Sequence, residues 1–430
     1  MKKETLIDQA YAFAYPMLLM EMTKRVMTNT DRVIGFRAPV NTLCHSEALA
    51  NASNHEVVSP NVDTLYSQAF LDLSRGPLIF KKPAANRYCT VAFLDAWTNC
   101  PYILGTGAID GNAPGSYMIA GPGDTVTKAP PGMTLLKMPT NTVWLLIRTV
   151  LYSPDDLDNV RDIQKAFSLS VIDPLQKIKG RVNLADTFVP VDRVNRMDIS
   201  EYFNTFNQLL ESNPPYPEDS AFLEQIRPLG IGAGLTFDLS DFTDEEAAAI
   251  CDTNTRVIKD LLSKSADYTH NVNNWSFFKD SMAAFGTDYS YRAYVALTGF
   301  GANPESMAVY PFGRADQNND PLSGGHSYTL HFEKGSLPPC RQDGFWSITL
   351  YSKNNFLADN AINRYCINDR SGLVPNADGS YDIFIQKEPP SATANWLPAT
   401  EGEFHLIMRI YLPAPQVLDG SWKPPYIFKK

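Results

Sequence analysis

The sequence predicts a mainly β protein with helical insertions, built as two antiparallel β-sandwich or jelly-roll-like units joined by a helical region. Three observations predict it. Short runs rich in aromatic and β-branched residues recur in the first and last thirds, bounded by Gly, Pro, Asn or Asp, as half-buried strands are. The middle of the chain instead spaces its apolar residues at a helical period. Strand runs of the last third are joined by turns such as Asn376-Ala377-Asp378-Gly379 and not by crossover helices, which favours antiparallel pairing and packed sheets.

The elements follow in order. Residues 1–35 hold an N-terminal helix over 4–28, with Leu6, Tyr11, Ala14, Leu18 and Met22 near a 3.6 period and Pro16 as a kink. Residues 36–152 form the first β-domain: a polar loop over 41–60, then strands over 65–73, 87–94, 116–120 and 142–151. Residues 153–290 form the helical connecting region. It opens with Ser153-Pro154-Asp155-Asp156, a helix start with an N-cap, Pro at the first position and acids in the first turn. A second helix over 199–210 buries Tyr202, Phe203 and Phe206, and a third opens on the capping box Thr243 and Glu246. Residues 291–430 form the second, jelly-roll-like β-domain, with strands over 327–332, 345–351, 381–385 and 404–412.

Composition narrows the function classes. With 37 basic against 47 acidic side chains the formal charge is −10, and no basic cluster interrupts it. Nucleic acid and anionic membrane surfaces both need one. No run approaches the roughly 18 apolar residues that cross a membrane. The apolar stretch 10–20 contains Pro16, is followed by Glu21 and lacks a small-residue cleavage site, so it reads as a helix of the folded protein. The expected location is cytoplasmic, or periplasmic or secreted if a leader was removed. The six cysteines include no C-x-x-C pair and read as buried small hydrophobes.

Longer blocks then stand together. They are Ser59-Pro60-Asn61-Val62-Asp63-Thr64-Leu65-Tyr66-Ser67, Leu94-Asp95-Ala96, Trp144-Leu145-Leu146-Ile147-Arg148-Thr149, Phe345-Trp346-Ser347-Ile348-Thr349-Leu350-Tyr351, Asn395-Trp396-Leu397-Pro398 and Arg409-Ile410-Tyr411. Across about 5–428 the chain resembles proteins that pair two domains of unknown function, the families numbered 1254 (amino-terminal) and 1214 (carboxy-terminal). The resemblance implies two β-rich units joined by helices, the second of jelly-roll type. It implies no common reaction.

Chemistry-bearing residues are few. Asn61, Asp63 and Tyr66 enter a strand, and Asp63 is a candidate acid or base; the alternative is an Asx-type turn that starts the strand. Asp95, Trp97 and Asn99 would share one face of a continuing strand, a carboxylate, a ring and an amide walling a pocket; the alternative is a strand-end turn with a core Trp. Arg148 sits in an apolar run and must be paired, with Asp63 or Asp95 as the expected partner, or must face a ligand anion. Trp346 falls on a strand that could line a cleft between the units. The histidines, His45, His55, His270, His326, His331 and His405, show no metal-ligand spacing, and no metal is expected. No dinucleotide or phosphate motif survives inspection, so no cofactor is expected.

The expected function is a cofactor-independent enzyme, hydrolase- or lyase-like, acting on a small organic molecule in an aromatic cleft. Asp63 and Asp95 are its catalytic candidates, and Asn61, Tyr66, Trp97, Asn99, Arg148 and Trp346 its substrate contacts. The rival is a non-catalytic small-molecule- or carbohydrate-binding or assembly module. A homo-oligomer is expected in either case.

Overall fold

A computed structural model describes residues 3–53, 59–391 and 393–430; His55 and the rest of 54–58 lie outside the described residues. The fold is mainly β with helical insertions. Helix Lys3–Met27 runs through Pro16 and buries nearly every residue from Ala10 to Thr23. A helix apolar on all sides has to be surrounded. Helices Pro190–Asn195, Ile199–Ser212 and Tyr289–Gly299 do this, and rings such as Tyr11 on Tyr202 at 4.2 Å fill the layer between.

The first sandwich faces a five-stranded antiparallel sheet against a four-stranded one. The larger sheet runs Cys44–His45, Thr64–Asp72, Thr142–Val150, Cys89–Asp95, Tyr102–Gly105. The smaller runs Thr134–Lys137, Gly115–Ala120, Leu78–Lys82, Ser168–Val171. Alternate residues Leu71, Val91, Phe93, Leu145 and Ile147 meet Leu78, Phe80 and Ile119 between them. The last strand of the smaller sheet comes from the mainly helical stretch of the chain.

The second sandwich is built likewise. Strands Cys340–Ser352 and Phe404–Pro413 form the centre of one sheet, with Cys366–Asn368 at its edge. The facing sheet holds Trp396–Pro398, Tyr381–Gln386, Tyr328–Phe332 and Ile427–Lys429. Pairing is antiparallel with two differences from expectation: Tyr381–Gln386 and Trp396–Pro398 are parallel here, as are Gly115–Ala120 and Thr134–Lys137 in the first sandwich. The segment 387–395 between the former two is long enough to carry the chain back, through the short 3-10 turn Thr393–Asn395.

The helix starts show how far local rules hold. Thr243 and Glu246 form the expected capping box. Ser153 makes no side-chain cap bond; Pro154–Asp156 is a 3-10 turn, and the α-helix begins at Leu157. Among the described residues no helix is long and apolar enough to cross a membrane.

Candidate functional site

Two buried polar clusters sit at opposite ends of the first sandwich. One fills a cleft against the second sandwich; the other lies in the seam against the helices.

The cleft begins where the chain enters strand Thr64–Asp72. Asn61 Oδ1 accepts from the backbone N–H of Asp63 at 2.6 Å and of Thr64 at 3.0 Å, the Asx turn that was the alternative reading of this block. The turn aims Asp63 into the second sandwich. There Asp63 accepts from Ser347 Oγ at 2.5 Å, from Arg370 Nη2 at 3.0 Å and from Asn368 Nδ2 at 3.4 Å. Both carboxylate oxygens are engaged, and the side chain is fully buried.

Arg148 lies opposite Tyr66 in the ladder, its guanidinium 5.4 Å from the Tyr66 ring centre. It donates to Asn303 Oδ1 at 2.9 Å and to the Gly301 carbonyl at 2.7 Å. Among the described residues no carboxylate pairs with it, which corrects the expected bridge to Asp63 or Asp95: Asp63 is taken by Arg370 and Asp95 lies in the seam. Burial works against the Arg148 charge, and the oxygens of Tyr66, Tyr310 and Tyr411 outweigh it and hold the proton. Tyr310 itself is pushed up by burial, so at neutral pH it is a dipole and gives no counter-charge.

Arg409 is the second buried cation. It donates to Tyr351 Oη at 2.7 Å, Thr349 Oγ1 at 3.2 Å and the Ser59 carbonyl at 3.0 Å. Tyr411 packs on Phe345 at 4.3 Å and Tyr88 at 5.4 Å, and its hydroxyl accepts from Asn61 Nδ2. Tyr66, Cys100, Tyr310 and Cys366 remain partly exposed, yet burial drives the Cys100 thiol up to about 12 and raises Cys366 too. A cavity of about 10 Å³ lined by Thr98, Phe285, Phe300 and Gly301 is large enough only for water.

Trp346 does not join them. Its neighbours Phe345 and Ser347 reach the cleft, so by alternation Trp346 faces the second sandwich core beside Ile348, Leu330 and Ile383.

In the seam, Asp95 ends its strand. Its Oδ1 accepts from the N–H groups of Trp97 and Asn99, both at 2.9 Å, and Thr98 takes φ +69°. The chain turns here, so Asp95, Trp97 and Asn99 are not a strand face. Asp95 Oδ2 accepts from Tyr216 Oη at 2.5 Å. Burial pushes Asp95 up to about 6 against the pull of the Tyr216 bond and of Arg292. Trp97 donates Nε1–H to the Pro214 carbonyl at 3.1 Å, and Asn99 Oδ1 accepts from Phe285 N–H at 3.1 Å. Arg292 is enclosed by Trp97, Tyr289 and Phe13, with ring centres 4.9, 5.2 and 5.3 Å from its guanidinium carbon. Asp95 and Asp219 lie within its electrostatic range.

The structure therefore brings Asn61, Asp63, Tyr66 and Arg148 together and puts Asp95, Trp97 and Asn99 elsewhere. Reading the sequence missed Asn303, Tyr310, Ser347, Asn368 and Arg370. Ser347 carried a signal, since it lies on the recognised aromatic strand; Asn368 ends the short edge strand Cys366–Asn368, and the others sit in loops with none. Among the described residues no group of three His, Cys, Asp or Glu side chains could hold a metal.

Two segments of the chain match known families. Residues 40–171 match the family described as Protein of unknown function (DUF1254), and 307–415 match Protein of unknown function (DUF1214). The chain thus resembles proteins that pair these two domains, in that order. Arg148 lies in the segment matched by the first family and Arg409 in that matched by the second, while Asn303 precedes the latter. The VPA0106 protein from Vibrio parahaemolyticus has a similar fold, with TM-score 0.71 at 20% identity over 99% of this chain and 100% of that one. A putative uncharacterized protein from Burkholderia cenocepacia aligns at TM-score 0.43 and 14% identity, over 98% of this chain and 88% of its own. No curated protein matches the chain.

Proposed function

We propose that the protein binds a small organic anion in the cleft between its two sandwiches, among Arg148, Arg409, Tyr66, Tyr310 and Tyr411. One observation carries this: Arg148 is a buried cation solvated only by an amide, a carbonyl and phenols. A charge removed from water at a cost of several kcal/mol calls for an opposite charge, and a ligand carboxylate or enolate would supply it. The tyrosine rings supply apolar walls for an aromatic or similar frame.

The enzymatic reading is narrower than the sequence suggested. Asp63 is engaged on both oxygens and Asp95 is remote, so the tyrosine hydroxyls are the groups that would move a proton in the cleft. A pure binding module is the second reading, favoured by that engagement of Asp63.

Calorimetric titration with benzoate and other small carboxylates tests the proposal, alongside native mass spectrometry, which also reads the expected homo-oligomer. Charged hydrogen bonds contribute about 1.5–3 kcal/mol, so R148M weakens binding roughly 10- to 100-fold. R148M fills the space with a neutral chain and keeps the fold. Equal affinity in the two proteins, or no carboxylate bound by either, sinks the idea.

A further inference from the structure

The hydrogen-bond polarity of the cleft identifies the ligand more closely, and this step rests on the anion-binding reading above. Asn303 is fully buried and holds two functional groups at once. Its Oδ1 accepts from Arg148 Nη1 at 2.9 Å, and its Nδ2 donates to Tyr310 Oη at 3.1 Å. A guanidinium can only donate, so the amide cannot be turned round. The Tyr310 oxygen must accept, and its backbone neighbour, Asn303 N–H, adds a second bond at 3.4 Å. The Tyr310 proton is left for another group.

Asn61 repeats the arrangement. Its Oδ1 is committed to the N–H groups of Asp63 and Thr64, so its Nδ2 faces the Tyr411 hydroxyl. Two phenols thus accept from amides while their protons stay free, both within electrostatic range of the Arg148 cation. The other charges in range are Arg409 and Asp63, and Asp63 is already paired with Arg370. The set is rich in donors and poor in free acceptors.

We propose that Arg148 and Tyr310, clipped together by Asn303 and backed by Tyr411, form an oxyanion site that prefers an ionised enol or phenol to its neutral form. Preorganised donors of this kind stabilise negative oxygen because they need no reorganisation when the charge develops. The ligand class is a small phenol or an enolisable carbonyl compound.

The probe is 4-nitrophenol, whose phenolate absorbs in the visible. Titrating pH with saturating protein reads the ionisation midpoint of the bound molecule. The expected result is a midpoint at least one pH unit below that of the free phenol, a tenfold preference. Y310F removes most of that shift. N303D removes it too: the carboxylate neutralises Arg148 and, where the Asn303 amide donated to Tyr310, it accepts the Tyr310 proton that the ligand would need. Urea midpoints confirm that each variant is folded, and either one suffices if the other is not. Bound nitrophenol with an unshifted midpoint, or a shift that persists in Y310F or N303D, overturns the oxyanion site. So does failure of nitrophenol to bind a protein that binds benzoate, which leaves the anion cleft standing. If neither binds, both readings fall.

Discussion

Asp63 and Asp95 are both buried aspartates of the first sandwich, yet their surroundings ask opposite things of them. Asp63 meets a guanidinium, a hydroxyl and an amide, all donors that want a charged acceptor. Asp95 meets two backbone N–H groups on one oxygen and a phenol on the other, and the nearby Arg292 makes no hydrogen bond to it among the described residues. The first carboxylate joins two sandwiches by its charge. The second closes a turn by its shape, and burial disfavours its charge. Identical residue types thus serve an ion pair in the cleft and a polar turn in the seam.

The most direct test of this contrast is Asp63→Asn. An amide cannot accept everywhere Asp63 does, because its NH₂ would face Arg370 and Asn368 or Ser347. Removing one partner of a buried pair costs about 3–5 kcal/mol when the other is left stranded; Arg370 keeps its bridge to Asp369 at 2.6 Å, which holds the loss towards the bottom of that range. A urea midpoint measures the loss. A change below about 1 kcal/mol would mean that Asp63 does not join the sandwiches.

The pH dependence sharpens the comparison because the two regions slope in opposite directions. Beside the cleft, His405 stacks on Tyr351, and burial, aided by Arg314 and Arg409, pushes its pKa down to about 3. The unfolded chain, near 6.5, binds that proton more readily. His405 therefore contributes stability that is complete above about 6.5 and lost as pH falls towards 3, roughly 5 kcal/mol in all. In the seam, Asp95 is raised to about 6 against about 3.9 unfolded. Its contribution is complete below about 3.9 and is lost as pH rises through 6, roughly 3 kcal/mol. Difference curves of unfolding free energy against pH, wild type minus H405Q and wild type minus D95N, isolate the two slopes. In D95N the amide oxygen still accepts from Trp97 and Asn99 while its NH₂ donates to Tyr216, so the variant keeps its fold and is the more stable protein at pH 8. Two difference curves of the same sign would collapse the contrast.

This difference explains what could be read from the chain beforehand. Strand runs, the buried first helix, the Thr243 capping box and the Asn61–Asp63 turn depend on neighbours a few residues away, and periodicity reports those. Arg148 stood out because a cation in an apolar strand is conspicuous wherever it folds. Its partner Asn303 did not, since 155 positions separate them and nothing in Asn303-Pro304 marks an anchor. Asp95, Trp97 and Asn99 were placed on one face because alternation was extended past the strand end, where Thr98 reverses the chain. Tyr216 and Arg292 reach Asp95 only through packing of the helical region, and no local pattern encodes that.

The smallest effect tests the Tyr216 bond. Tyr216 Oη is the donor that offsets the burial of Asp95, so Y216F should cost about 1–2 kcal/mol at neutral pH, where the acceptor is charged. The same change should also raise the Asp95 midpoint, because it removes a bond made to the ionised form. In a D95N background the Tyr216 oxygen becomes an acceptor for a neutral amide. Y216F should then cost less and leave the pH profile unmoved. A double-mutant cycle at pH 5 and pH 8 reads both quantities. A coupling that grows with pH assigns the bond to the charged carboxylate. A coupling independent of pH would show that the phenol only packs against the turn, and that burial alone sets the titration of the seam.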